Sequence, residues 1–356
     1  MTWLVRSAVV IALCAALAPQ PHAKPQPART SPFAAQIAAL SEAPGYFDTD
    51  NLISNERSYL QILQDLQRRE VRGGAYVGVG PDQNFSYIAE VRPTVAFIVD
   101  VRRDNLLLHL LFKALFGLAR TRVEYLALLT GRPVPTALDG WRAAPIDRLI
   151  AYVDNTTPAP RRMDDAVARI GVPLSAEDRA TISRFHGRFV ADGLSLRFQS
   201  TGRPPQAYNP TLRELLRETD ASGRQANYLA SEEAFQFVKD LQARDLVIPV
   251  IGDLSGPSAL TAVGRAIAAR GERLSAFYVS NVEFYLFGAG TFAPFAANLE
   301  RLPRTANTVI IRSFFGRFAA PSRSGDASSQ HVQPAAELLR DIAAGRIRSY
   351  GDIAPR

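Results

Sequence analysis

Four short apolar runs in the sequence are each followed at once by small or polar residues suited to ligand binding. These residues are Gly78, Gly80, Asp82, Gln83 and Asn84 after the first run, Asp100 after the second, Gly252 and Asp253 after the third, and Ser280, Asn281, Glu283 and Tyr285 after the fourth. Glycines let a backbone approach a ligand closely, and free N–H groups at a helix start attract polar groups. An acidic side chain at the end of a strand can accept both hydroxyls of a ribose. We therefore expect one ligand site built from all four groups.

The apolar runs themselves predict the elements that position these residues. Runs at 73–80, 95–101, 245–253, 274–281 and 307–315 are short and rich in β-branched residues, which is typical of buried parallel strands. Helical patterns lie between them, and strand, helix, strand, helix within about 45 residues indicates a βαβ unit. The sequence predicts an α/β fold with a doubly wound, mostly parallel, Rossmann-like sheet. Ligands bind such sheets at the carboxyl ends of the strands.

The α/β pattern is interrupted between the second and third strands. Residues 120–235 contain helical or loop-like segments and no buried strand pattern. We predict that 33–119 and 236–356 form the two parts of one α/β domain, and that 120–235 is a helical insertion beside the crevice that contributes to ligand selection. Helical patterning is also expected over 33–69 and near the C-terminus.

The N-terminus has the features of a secretory signal peptide. Arg6 precedes an apolar run over residues 7–18, and residues 1–23 end in small residues. The run is too short to span a bilayer comfortably. Cleavage after Ala18 and after Ala23 both stay open, and 24–32 reads as a Pro-rich linker. We expect an exported protein, periplasmic or secreted, without a transmembrane span in the mature chain.

Composition excludes several other classes of protein. Cys14 is the single cysteine, so disulfide scaffolds, zinc–thiolate clusters and cysteine nucleophiles are excluded. The four histidines are scattered, which predicts no metal site, and His109 reads as a core histidine. The net charge of +7 comes mainly from arginines spread along the chain, so we expect a small-molecule ligand and no specific nucleic acid.

The residues after the strands also resemble the class I S-adenosylmethionine-dependent methyltransferase superfamily. The matching positions are Gly78 and Gly80 in the first motif, Asp100 as the acid that holds the ribose, Asp253 as the acid near the adenine, and the segment after the fourth strand. The resemblance spans about 50–119 and 236–318. Within that superfamily, the motifs SNE-x-SYL, VGVGPDQNFSYIA, GD-x-SGP and YVSNVE resemble a little-characterised bacterial and plant branch.

Some features depart from the superfamily's pattern. Tyr76 and Val77 stand where an acid is usual, Pro81 and Asp82 stand where a third glycine is common, and a Pro-Pro pair is missing from the fourth motif.

The resemblance implies an S-adenosylmethionine-binding protein with an unspecified methyl acceptor. In this hypothesis, Asn281, Glu283 or Tyr285 positions or deprotonates the acceptor. The alternative is an exported, non-catalytic ligand-binding protein that keeps the same fold. A hydrolase using Ser255 is the weakest hypothesis, because G-x-S-x-G is absent. The SNE segment at 54–56 is either a helix start or a segment that folds over the crevice.

Overall fold

The computed structural model describes residues 31–49, 51–204, 206–320, 323 and 325–355. The predicted signal peptide at 1–23 lies outside the described residues, as does most of the predicted linker. Among the described residues, no helix is both long enough and apolar enough to cross a membrane.

One six-stranded sheet forms the centre of the molecule, in the order β3-β2-β1-β4-β5-β6. The strands are β1 Ala75–Gly78, β2 Val95–Asp100, β3 Val247–Ile251, β4 Leu274–Ser280, β5 Arg304–Phe315 and β6 Ser328–Pro334. Strands β1 to β5 pair in parallel, and β6 pairs antiparallel with β5. The prediction of an α/β fold with a mostly parallel sheet is therefore confirmed, and the arrangement is compatible with a Rossmann-like fold.

Helices supply the rest of the regular structure. The described residues form fourteen α helices, namely α1 Pro32–Leu40, α2 Leu63–Arg68, α3 Gln83–Val91, α4 Arg103–Leu118, α5 Arg122–Leu129, α6 Ile146–Asp154, α7 Asp164–Ala168, α8 Ala176–Asp192, α9 Leu212–Arg217, α10 Glu232–Ala243, α11 Ala259–Ala269, α12 Val282–Ala289, α13 Phe292–Arg301 and α14 Ala335–Ala343. Capping boxes begin α5, α8 and α9, where the side chains of Thr121, Ser175 and Thr211 accept the third backbone N–H.

The strand order reverses beside β1, and this places the crevice. The chain builds β2 and β3 on one side of β1 and then returns to build β4 on the other side. Gly78 is paired with Ile98 of β2 and with Tyr278 of β4, and Asp100 is paired with Ile251 of β3. The carboxyl ends of four strands thus meet at one edge, where ligands bind in open α/β sheets.

The predicted helical stretch over 33–69 is only partly helical. It contains α1 and α2, but residues 41–49, here called the crossing segment, run without regular structure over the ends of β3 and β2. Glu42 N donates to Ile251 O at 2.8 Å, and Gly45 N donates to Val101 O at 2.8 Å. These backbone hydrogen bonds hold the crossing segment. Because backbone groups do not depend on side-chain type, the sequence of this segment shows no periodic apolar pattern that would predict it.

Strand β6 was not expected from the sequence. Its residues, SSQHVQP, contain no apolar run, and it lies at the edge of the sheet beside β5. An edge strand needs only one partner and one buried face, so its sequence can be largely polar.

Residues 120–235 form α5 to α9 and the first part of α10. Their described residues add only isolated bridges, including one between Thr49 and Ser200. The segment therefore reaches the crossing segment, while its assignment as a separate insertion stays a prediction.

Gly252 lies where the chain leaves β3, close to α11. A Cβ atom there would overlap the Cβ atom of Ala259 in the first turn of α11. We expect Gly252→Ala to lower the free energy of unfolding by about 1–3 kcal/mol, because the helix must move away from the strand. Gly117, in α4, has open space around the same position, so the control Gly117→Ala should be neutral or stabilising by up to about 1 kcal/mol. Urea denaturation measures both, and equal stability of the two variants would contradict this close approach.

Candidate functional site

A cavity of about 420 Å³, here called the inner cavity, lies between the crossing segment and the carboxyl ends of β1 to β4. Of the residues predicted from the sequence, those that line it are Gly80, Gln83, Asp100, Gly252, Asp253, Ser280, Asn281 and Tyr285. Gly78, Asp82, Asn84 and Glu283 are not among the lining residues. The structure therefore brings together residues from all four strand ends, as the sequence predicts, but four of the predicted residues lie outside the cavity lining.

The turn after β1 is held from beneath by Asn84. Asn84 Nδ2 donates to Val79 O at 2.8 Å and to Pro81 O at 2.7 Å, and its Oδ1 accepts from Tyr76 at 2.8 Å. A Cβ atom on Gly78 would overlap Asn84 Oδ1, so Gly78 makes room for this side chain and not for a ligand. Asn84 shapes the turn without facing the cavity.

Gly80 is the glycine that faces the inner cavity. Its φ is +80°, a left-handed conformation that favours glycine. His109 Nε2 lies 2.9 Å from Gly80 O, and burial lowers the pKa of His109 to about 4, so the ring is neutral near pH 7. Since Gly80 O can only accept, the Nε2–H donates to it. His109 thus supports the turn as a buried histidine.

Asp82 points away from the inner cavity into the protein interior. Its Oδ2 accepts from Tyr228 Oη at 3.2 Å, and burial raises the pKa of Asp82 to about 6. Neighbouring rings, including Phe85 and Tyr125, pack against Tyr228. Asp82 is therefore a buried acid under the turn and not a ligand contact.

Asp100 lines the inner cavity but already has a cationic partner. Arg102 Nε donates to Asp100 Oδ1 at 3.0 Å, and Arg102 Nη2 donates to Oδ2 at 2.8 Å. Arg102 Nη1 also donates to Thr49 O at 2.9 Å. This bidentate pair fixes the orientation of Asp100 and leaves Oδ2 with acceptor capacity for one further donor.

The end of β3 contributes Asp253 and the start of α11. Asp253 Oδ1 accepts from the backbone and the hydroxyl of Ser255, both at 2.8 Å. Glu42 accepts from Ser258 N at 2.7 Å and from Ala259 N at 2.5 Å. Burial alone would raise the pKa of Glu42, but these hydrogen bonds lower it. A carboxylate of the chain therefore occupies the position at this helix start where an anionic ligand would bind.

Glu56, in the SNE segment, lies on the wall of the inner cavity. It is 1% exposed, its Oε2 accepts from Tyr278 Oη at 2.7 Å and from Gln330 Nε2 at 3.0 Å, and Ser280 Oγ donates to its Oε1. Burial raises the pKa of Glu56, although the hydrogen bonds oppose this effect. No described Lys, Arg or His forms an ion pair with it. The sequence left two alternatives for this segment, a helix start or a position at the crevice, and the structure shows it at the crevice.

Gln83 adds a second acceptor to the same wall. Its Nε2 donates to Tyr278 Oη at 3.1 Å, while its buried Oε1 has no hydrogen-bond partner among the described residues. A buried acceptor without a partner costs free energy unless a ligand or water supplies the donor. Gln83 and Glu56 both line the inner cavity, and Gln83 Oε1 is an unpartnered acceptor buried behind its wall.

The segment after β4 divides between two environments. Ser280, whose φ is +52°, and Asn281 line the inner cavity, as does Tyr285. Burial raises the pKa of Tyr285, so its hydroxyl stays protonated near neutral pH. Glu283 instead forms a fully buried ion pair with Arg312 of β5, with Nη2 to Oε1 at 3.1 Å. A carboxylate held this way is part of the interior packing and is not in reach of a ligand in the cavity.

The lining of the inner cavity is acidic. Its described residues include the acids Glu56, Asp100 and Asp253 but Arg102 as the one base, and Arg102 is already paired with Asp100. No group of three His, Cys, Asp or Glu side chains in the described part of the chain is arranged to hold a metal ion. The lining suits a ligand that is cationic or rich in hydrogen-bond donors, and disfavours phosphates.

The pH dependence of stability tests the position of Asp82. Because burial raises its pKa from 3.8 to about 6, the folded state holds a proton that the unfolded state has lost between these pH values. Stability from this group is present below pH 4 and is lost as pH rises through about 6. We expect Asp82→Asn to remove this loss and to stabilise the protein at pH 8 by up to about 3 kcal/mol relative to wild type. Thermal denaturation between pH 4 and pH 8 measures the effect, and identical pH profiles for the two proteins would place Asp82 in solvent.

The sequence is similar to a known family of protein domains. A family model described as a domain of unknown function, DUF7790, matches residues 51–138 and 201–350. The two matched ranges contain Glu56, the turn after β1 and the ends of β2, β3 and β4, whereas residues 139–200 between them are unmatched. No curated protein matches the sequence. Because the matched ranges cover more than half of the 356 residues, the chain belongs to the DUF7790 family.

Proposed function

We propose that this protein binds S-adenosylmethionine in the inner cavity and acts as a methyltransferase-like protein. The observation that carries the proposal is a nucleoside-sized cavity with an acidic, acceptor-rich wall at the point where the strand order reverses. Its volume of about 420 Å³ lies within the range of small-molecule sites.

The packing of the helices supports a doubly wound sheet. Helix α10 packs on α3 and α4, while α11 packs on α1 and α13, and α13 packs on α14. Members of both groups contact the sheet, α4 at β2 and β3, α1 at β3, and α14 at β5. We infer that the two groups cover opposite faces, which is the arrangement that a doubly wound fold requires.

The charge of the wall favours a cationic nucleoside over a nucleotide. The excess of acids around the inner cavity would repel a phosphate, and Glu42 already occupies the start of α11. S-adenosylmethionine carries a positively charged sulfonium and an ammonium group against one carboxylate, so its net charge is positive. The carboxylate of Glu56, with the polar side chain of Gln83 beside it in the cavity lining, suits these groups.

The residues of the chain would act by binding and orientation. S-adenosylmethionine supplies an electrophilic methyl group, and its transfer depends mainly on holding the acceptor atom in line. Oδ2 of Asp100 would accept one ribose hydroxyl, and Gly80 would let the backbone approach the amino-acid end. Asn281 and Tyr285 line both the inner cavity and a second cavity that adjoins it. They would therefore position an acceptor that enters from the second cavity.

A non-catalytic binding protein is the second candidate. Two observations favour it: Arg102 already neutralises Asp100, and Glu283 is buried against Arg312. Neither carboxylate is then free to act as a base. The predicted export of the chain agrees with this candidate, because the methyl donor is made in the cytoplasm. Binding of S-adenosylmethionine without transfer to any acceptor would favour this function.

Ligand binding to the full chain tests the charge argument. We expect S-adenosylmethionine to bind more tightly than the neutral thioether S-adenosylhomocysteine, because Glu56 faces the cationic groups. Glu56→Gln should weaken S-adenosylmethionine binding about tenfold, equivalent to about 1.4 kcal/mol, with a smaller effect on S-adenosylhomocysteine. Affinity for S-adenosylmethionine should also rise with pH as Glu56 ionises, at a pH above its ordinary value of 4.5, since burial raises the pKa of Glu56.

Isothermal titration calorimetry measures both affinities, and Glu300→Gln on the exposed face of α13 is the matched control. A ligand at 100 times its Kd should also stabilise the fold by about 2.7 kcal/mol. Folded protein that shows neither heat nor a melting shift with millimolar ligand would refute the proposal.

A further inference from the structure

A second chamber of about 630 Å³, here called the outer chamber, adjoins the inner cavity. The two share wall residues from three separate parts of the chain. These are Phe47, Thr49 and Asn55 in the first part, Phe198 in the second, and Asn281 and Tyr285 in the third. A ligand in the outer chamber would therefore lie directly beside one in the inner cavity. Phe198 belongs to the segment 120–235, so this segment helps to form the chamber.

Aromatic rings dominate the walls of the outer chamber. Tyr208, Phe284 and Tyr285 are 65%, 47% and 44% exposed, although large apolar side chains are usually buried. Two of these rings make edge contacts, with centroids 4.8 Å apart for Phe47 and Tyr285 and 5.3 Å apart for Phe284 and Tyr350. Exposed rings around a chamber offer flat faces and edges to a planar guest.

Arg317 gives the outer chamber an uncompensated positive charge. The other charged side chains in its described lining, Arg203 and Asp48, form an ion pair with each other. Arg317 forms no ion pair with any described residue, and its guanidinium lies 4.8 Å from the centroid of the Phe318 ring. The cation is thus held over an aromatic face with its N–H groups available for an anion.

We propose that the outer chamber binds a planar aromatic carboxylate, with the ring among the aromatic walls and the carboxylate at Arg317. The outer chamber is proposed here as a binding site beside the proposed S-adenosylmethionine site, and no methyl transfer to its ligand is proposed. The two compartments differ in charge, since the inner lining is acidic and the outer lining has a free cation. The inner cavity therefore favours a cationic ligand, and the outer chamber favours an anionic one.

Three probes separate the ring from the charge: 2-naphthoate, its neutral amide 2-naphthamide, and the saturated decahydronaphthalene-2-carboxylate. Calorimetric titration of the full chain, with and without S-adenosylhomocysteine, gives their affinities. We expect 2-naphthoate to bind at least fivefold more tightly than each of the other two. Arg317→Gln should remove the preference for the acid over the amide, and Tyr208→Ala should weaken both aromatic probes.

Arg265→Gln is the matched control, because Arg265 is exposed on α11 and lies outside both compartments. Equal binding of acid and amide to the wild type, or an unchanged preference in Arg317→Gln, overturns the inference. The inner cavity is tested separately: binding of S-adenosylmethionine without binding of 2-naphthoate refutes only the outer site. Binding of 2-naphthoate that is lost in Arg317→Gln supports the outer site even if S-adenosylmethionine does not bind.

Discussion

The burial of Glu56 without a cationic partner is the constraint on which the site depends. Removing a carboxylate from water is costly unless hydrogen bonds or a counter-charge compensate it. Here the compensation comes from Tyr278 and Ser280 of β4 and from Gln330 of β6, which are donors far apart in sequence. The correct pairing of β4, β5 and β6 is therefore needed to hold one carboxylate at the cavity wall. A cation bound at this wall would supply the counter-charge for Glu56 that these neutral donors do not provide.

The parts of the fold with a simple apolar pattern could be predicted from the sequence. Strands β1 to β5 are buried runs, and their common direction places Gly80, Asp100, Asp253 and Asn281 at one edge. Strand β6 and the crossing segment could not be predicted, because polar residues and backbone hydrogen bonds define them. For the SNE motif, the sequence left a helix start and a position over the crevice both open. The position of the Glu56 carboxylate depends on Gln330, 274 residues away in sequence.

The predicted site residues that lie elsewhere share a physical cause. Glu283 and Asp82 follow strand ends, as ligand-binding acids do, yet each has a buried partner that sequence spacing does not reveal. For Glu283 this partner is Arg312 of the neighbouring strand, and for Asp82 it is Tyr228, 146 residues further along. Position after a strand therefore identifies which acids can reach the crevice. For Glu283 and Asp82, the buried donor beside each carboxyl group holds it away from the cavity.

The pair of Asp100 and Arg102 links recognition to the covering of the cavity. Arg102 donates to both oxygens of Asp100 and, through Nη1, to Thr49 O in the crossing segment. The same guanidinium therefore neutralises the acid at the end of β2 and ties down the segment that covers it. An unpaired Asp100 would offer a stronger contact to a ribose, but the cover would then lose its anchor. The pairing therefore holds the crossing segment in place and leaves Asp100 only the remaining capacity of Oδ2 for a further donor.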